Sequence, residues 1–139
     1  MSKHGFATIL KALAVWVPTV LLGALFVLQG LMKFPAESPW PGMFRNWGFP
    51  ENFHLVIGVL ELLGGLFLFV PRLAGFAALT LAAVMTGACL THLLHGETLQ
   101  AGFTLILTVI FAILARVRLP LRHGRDRRSS PEAARAVTE

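Results

Sequence analysis

The chain has 139 residues, enough for one compact domain. Of these, 55% are apolar and 14% charged, where a soluble domain carries about 25% charge. Ten of the charged residues lie in positions 116–139, leaving nine for the first 115 positions, too few to coat a water-soluble globule of this size. A single cysteine, Cys89, excludes an internal disulfide framework, a Cys-rich zinc site and a self-contained iron–sulfur cluster. No Rossmann or P-loop glycine pattern occurs.

In chain order, four apolar runs reach membrane length, over residues 12–32, 53–70, 73–94 and 98–115. At 1.5 Å rise per residue such runs extend about 27–33 Å, matching a hydrocarbon core of about 30 Å. The first run carries Pro18 in its opening turns, where a helix tolerates proline best. Its apolar core is too long for a secretory signal, and no A-x-A-like site follows.

The connector over 33–52 holds Pro35, Pro39, Pro41 and Pro50, together with Trp40, Phe44 and Trp47 at spacings of four and three. On a short helix those rings share one face, which predicts an interfacial anchor or a shallow re-entrant segment. Pro71-Arg72 and His95-Gly96-Glu97 are turns short enough to force antiparallel hairpins. The predicted fold is all-α: an integral membrane bundle of four transmembrane helices within residues 1–115, with that connector on the outer side. The basic segment 116–139 lacks the apolar surface to fold and is expected to be a disordered cytoplasmic tail.

Lys3, Lys11, Arg72 and the seven arginines of the tail fall on one side of this topology, and only Lys33 and Arg45 on the other. The positive-inside rule then places both termini in the cytoplasm. The net charge of +5 follows from that placement, so nucleic acid is not an expected partner.

Glu61 is the anomaly. It lies eight residues from one end of the second run and nine from the other, at the bilayer midplane. An ionised carboxylate there costs at least about 2.5–3.5 kcal/mol, so it needs a partner or a retained proton. Its helical neighbours Gly58, Gly64 and Gly65 form a face that admits another helix closely. Glu61 therefore points to a helix contact.

Gln29, Lys33, Arg45, His54, His92, His95 and Glu97 gather in the outer half above it. Single polar side chains at that level snorkel routinely, but their convergence over a midplane carboxylate predicts an outward-facing polar pocket. The ligand-binding candidates are Glu61, Arg45, Lys33, His92, Gln29 and His54. Depth arithmetic favours Arg45 as the partner of Glu61, because Lys33 starts at the outer edge and spans only part of the gap; His92 is second. Met85, Cys89 and His92 share one face of the third run, with Cys89 read as a packing residue. Gln100, Thr104 and Thr108 form a stripe on the fourth, whose hydroxyls are read as bonding helix carbonyls. His54 and His92 are the one pair placed to ligate haem, yet both sit at the membrane edge. No metal site and no intrinsic cofactor are expected.

Several segments together resemble the DoxX family of small four-helix membrane proteins. They are Gly30-x-x-Lys33-Phe34, Phe44-Arg45-x-x-Gly48-Phe49-Pro50, Gly58-Val59-Leu60-Glu61-Leu62-Leu63-Gly64-Gly65, Pro71-Arg72-Leu73-Ala74-Gly75 and Met85-x-x-Ala88-x-x-Thr91-His92. The resemblance implies a four-helix fold in the cytoplasmic (inner) membrane and an association with quinone-linked oxidoreductase systems. Because this chain shows no flavin motif, cysteine cluster or haem-quality ligand pair, a quinone would be a bound ligand, or a redox enzyme subunit would bring the redox centre. Besides that subunit, the expected partners are the lipid bilayer and, in a homo-oligomer, further copies of the chain. Two other readings stay open: a small proton-coupled carrier using Glu61, and a non-catalytic assembly or scaffold protein.

Overall fold

The computed structural model describes residues 3–119, and five helices account for most of them: α1 (Lys3–Leu31), α2 (Trp40–Asn46), α3 (Phe53–Leu68), α4 (Ala74–Leu94) and α5 (Thr98–Arg118). No strand occurs among the described residues. α1, α4 and α5 are long and apolar enough to cross a membrane, and α3 is a shorter apolar helix. At 1.5 Å per residue its 16 residues extend about 24 Å. The chain is a multi-pass membrane protein built as an up-and-down helical bundle. α1, α3, α4 and α5 alternate in direction, so the N-terminus of α1 and the C-terminus of α5 lie at one end, and α2 caps the other.

Several boundaries differ from the expected ones. α1 starts at Lys3, nine residues before the apolar run, so Pro18 lies inside the helix rather than in its first turns. Lacking an N–H, Pro18 cannot bond the Ala14 carbonyl one turn earlier. α3 stops at Leu68, with Phe69 as its C-cap, because Val70 to Leu73 are taken up by the tight turn into α4. α5 continues to Arg118, since the arginines after residue 115 suit a helix C-terminus. The tail expected to be disordered lies, from residue 120 onward, outside the described residues.

Glycines decide how α1 meets α3. A Cβ on Gly30 would sit 2.5 Å from the Leu62 amide nitrogen and 2.7 Å from the Gly58 carbonyl; one on Gly65 would sit 2.6 Å from the Val27 nitrogen. Only hydrogen fits there. In a bilayer, lipid tails are as apolar as leucine, so close backbone approach and dispersion hold the helices together. α3 turns its other glycine, Gly64, to Leu81 of α4. α4 then packs along α5 through Ala77, Ala78, Ala82 and Met85 against Leu107, Phe111, Leu114 and Ala115. Phe26 closes the core by meeting Phe111 edge-on, with ring centroids 4.9 Å apart.

Many other large apolar side chains, such as Leu21, Phe76, Leu94 and Ile113, are more than half exposed. That is the surface a lipid-facing bundle presents, where hydrocarbon replaces water.

Candidate functional site

The midplane carboxylate has a partner, and it is Lys33. The Lys33 ammonium donates to Glu61 Oε2 at 2.5 Å, and the two side chains are 4% and 6% exposed. This corrects the expectation that Arg45 would fold in: Arg45 sits exposed on α2. Lys33 lies deeper than a start at the outer edge, level with the first residue of α3, would put it. The glycine contact seats the Lys33 backbone lower, level with Gly58, where an added Cβ would lie 3.0 Å from Lys33 Cβ. From Gly58 to Glu61 is three residues, about 4.5 Å, which a lysine stem covers. The ammonium also lies 3.9 Å from the centroid of the Trp40 ring, a cation–π contact from α2.

The Lys33–Glu61 pair borders a cavity of about 910 Å³, within the usual size of small-molecule sites. Its roof is aromatic. Trp40, Phe44 and Trp47 share one face of α2, as their spacing predicts, and that face is turned into the bundle. Polar groups are few: besides the ion pair, Gln29, Thr91, His92, Gln100 and Thr104 reach the lining. Its floor is the packed centre of the bundle at Phe26, Met85 and Leu107.

One side of this cavity is bordered by exposed apolar side chains. Towards the terminal end, α1 and α5 are joined by the Phe26–Phe111 contact and by Arg118, which donates to the Thr19 hydroxyl and lies over the Trp16 ring. Towards α2 the cavity intervenes, with Leu25 and Gln29 on its α1 side and Leu99, Gln100 and Phe103 on its α5 side. The rim residues Leu25, Phe103 and Leu99 are 40%, 59% and 83% exposed. The gap between α1 and α5 is therefore flanked by exposed apolar side chains.

A second polar cluster stands at the α2 end. Gly96, at φ +74°, reverses the chain after α4 and returns Glu97 onto His92. A glycine adopts that left-handed conformation without steric cost. His92 Nδ1 is 2.5 Å from Glu97 Oε2, and the Trp47 indole N–H donates to Glu97 Oε1 at 3.3 Å. The Trp47 ring stands edge-on to the His92 ring at 5.2 Å. The hydrogen bond from His92, aided by that from Trp47, holds the Glu97 carboxyl below the usual carboxylate range against a smaller opposing effect of burial. An ionised carboxylate only accepts, so with Glu97 ionised the bond to its Oε2 is donated by His92 Nδ1–H.

The candidates thus divide. Glu61, Lys33, His92 and Gln29 share one cavity. His92, second choice as the partner of Glu61, is instead paired with Glu97. His54 lies buried on the same α3 face as Glu61, against Phe44, outside the cavity lining. Arg45 is also outside that lining. Cys89 packs against the Ala101 carbonyl, and Thr104 and Thr108 bond carbonyls of their own helix, as read from the sequence. Among the described residues no cluster of three His, Cys, Asp or Glu side chains is placed to hold a metal ion. The residues missed were Glu97 as the orienting group for His92, and Trp40 and Trp47 as cavity walls. The glycine in His95-Gly96-Glu97 was the available signal for the first, because it permits the reversal.

A family model described as the DoxX-like family matches residues 17–114, from the middle of α1 to the buried end of α5. No curated protein and no solved structure matches the chain.

Proposed function

The chain belongs to the DoxX-like family, and we propose that it serves as a membrane subunit or accessory protein of a quinone-linked redox system, with a lipid quinone held in the cavity beside Glu61. One observation carries this reading: a buried Lys33–Glu61 pair borders an aromatic cavity flanked between α1 and α5 by exposed apolar side chains. A ligand suited to it has a flat ring to lie along Trp40, Phe44 and Trp47. It also has ring oxygens to accept from the Lys33 ammonium, and an apolar tail to leave between Leu25 and Phe103. A prenylated quinone has all three.

Glu61 anchors the lysine at a depth where an isolated ammonium would be costly, and so orients a donor that a carbonyl oxygen recognises. The electron carriers belong to a partner in this reading. The bundle sits in the inner membrane with both termini in the cytoplasm and α2 outside. An impermeant thiol reagent applied to intact cells should then label Glu37→Cys and spare Arg72→Cys; the reverse pattern inverts the topology.

The test of function is mass spectrometry of lipophilic molecules retained by protein purified in mild detergent. An isoprenoid quinone should accompany the wild type and be depleted in Glu61→Gln and Lys33→Met variants of unchanged helicity. A wild type carrying only phospholipid, with no quinone taken up on supplementation, overturns the reading.

A further inference from the structure

The cavity has two polar poles of opposite hydrogen-bonding character. At the first, the Lys33 ammonium only donates, and either a carbonyl or a hydroxyl oxygen satisfies it. The second is His92. Its Nδ1–H is committed to Glu97, whose other oxygen is held by the Trp47 indole. The ring borders the cavity, and among the described residues no hydrogen bond engages Nε2. With Nδ1 protonated, the Nε2 of a neutral imidazole can only accept. A carboxylate that fixes an imidazole in this way sets both its tautomer and its orientation.

We propose that His92 Nε2 is the pole that selects the reduced ligand: it accepts a hydrogen bond from a quinol hydroxyl, which the corresponding quinone carbonyl cannot provide. This rests on the quinone reading above and adds which redox form the site prefers. Glu97 and Trp47 are positioning residues that touch His92 rather than the ligand. The aromatic series Trp40, Phe44 and Trp47 connects the two poles, Trp40 lying against Lys33 and Trp47 against His92.

The experiment uses the full chain in nanodiscs of phosphatidylethanolamine and phosphatidylglycerol. It is titrated anaerobically with decylubiquinol and separately with decylubiquinone, and binding is read from tryptophan quenching. The quinol should bind more tightly by roughly three- to tenfold, the worth of one hydrogen bond. His92→Phe keeps a ring against Trp47 and should bind both forms alike. Glu97→Gln frees the tautomer, lets Nε2–H donate to a quinone carbonyl, and should shrink the ratio by raising quinone affinity. A wild type that binds both forms equally, or a His92→Phe protein that keeps the preference, overturns the inference and leaves the quinone reading standing. A wild type that binds neither form overturns both.

Discussion

Replacing Lys33 by Met and Glu61 by Leu, singly and together, measures how far each residue depends on the other. The side chains are 4% and 6% exposed, with 2.5 Å between ammonium and carboxylate, so neither has water to fall back on. Removing one member of such a pair costs about 3–5 kcal/mol, because the survivor stays buried and uncompensated. A chain unfolded in a micelle finds substitute partners, which holds neutral interhelical hydrogen bonds to about 0.6 kcal/mol on average. That compensation acts on the unfolded state only and does nothing for an ion stranded in the folded one. Each single substitution should therefore destabilise by about 3 kcal/mol, the low end of the range.

Lys33→Met should be the costlier, since it also forfeits the contact 3.9 Å above Trp40, worth about 0.5–2 kcal/mol. Apolar replacement of both partners is often neutral, so the double variant should lie within about 1 kcal/mol of wild type. The cycle would then be non-additive by about 5 kcal/mol, beyond the ordinary 0.5–3 kcal/mol of contacting residues. Unfolding of the four proteins by SDS titration in mixed micelles, followed by circular dichroism, supplies the numbers. Additive singles, with a double variant as unstable as both combined, would refute the claim that the two side chains meet and exclude water together.

Gly30→Ala should separate α1 from α3 and destabilise by about 1–3 kcal/mol, because its Cβ would meet backbone at 2.5–2.7 Å. Gly87→Ala, which meets nothing within 4 Å, should unfold in the same titration like the wild type, and equal stability of the two variants would contradict the packing. The depressed carboxyl of Glu97 contributes stability that is fully present above the usual carboxylate range and is lost as the pH falls through its lowered value. Thermal unfolding of the wild type should hold an advantage over Glu97→Gln at neutral pH that disappears in acid. A gap that persists unchanged into acid would show that Glu97 does not stabilise the α2 end through its charge.

Much of the fold was legible in the sequence because the bilayer imposes a length and a polarity that local pattern reveals. Four apolar runs, two turns too short for anything but hairpins and three rings spaced for one face led directly to α1, α3, α4, α5 and the cap α2. Glu61 was recognisable from chemistry alone as a residue that needs a buried partner, since a carboxylate in mid-helix flanked by Gly58, Gly64 and Gly65 has to face another helix. Its partner was not recognisable. Lys33 and Arg45 carry the same charge on the same connector, and choosing between them requires the relative depth of α1 and α3, which no periodicity encodes.

That depth is set by backbone touching backbone at Gly30, Gly58 and Gly65, a contact between residues some thirty positions apart, and it lowers Lys33 by more than a helical turn. The His92–Glu97–Trp47 cluster has the same origin: Glu97 is near His92 in sequence, but Trp47 arrives only because α2 folds back over the bundle. Sequence determined which groups are costly in a membrane and therefore need partners. Tertiary structure alone decided which partners they have, because a side chain reaches only as far as the helix that carries it is packed.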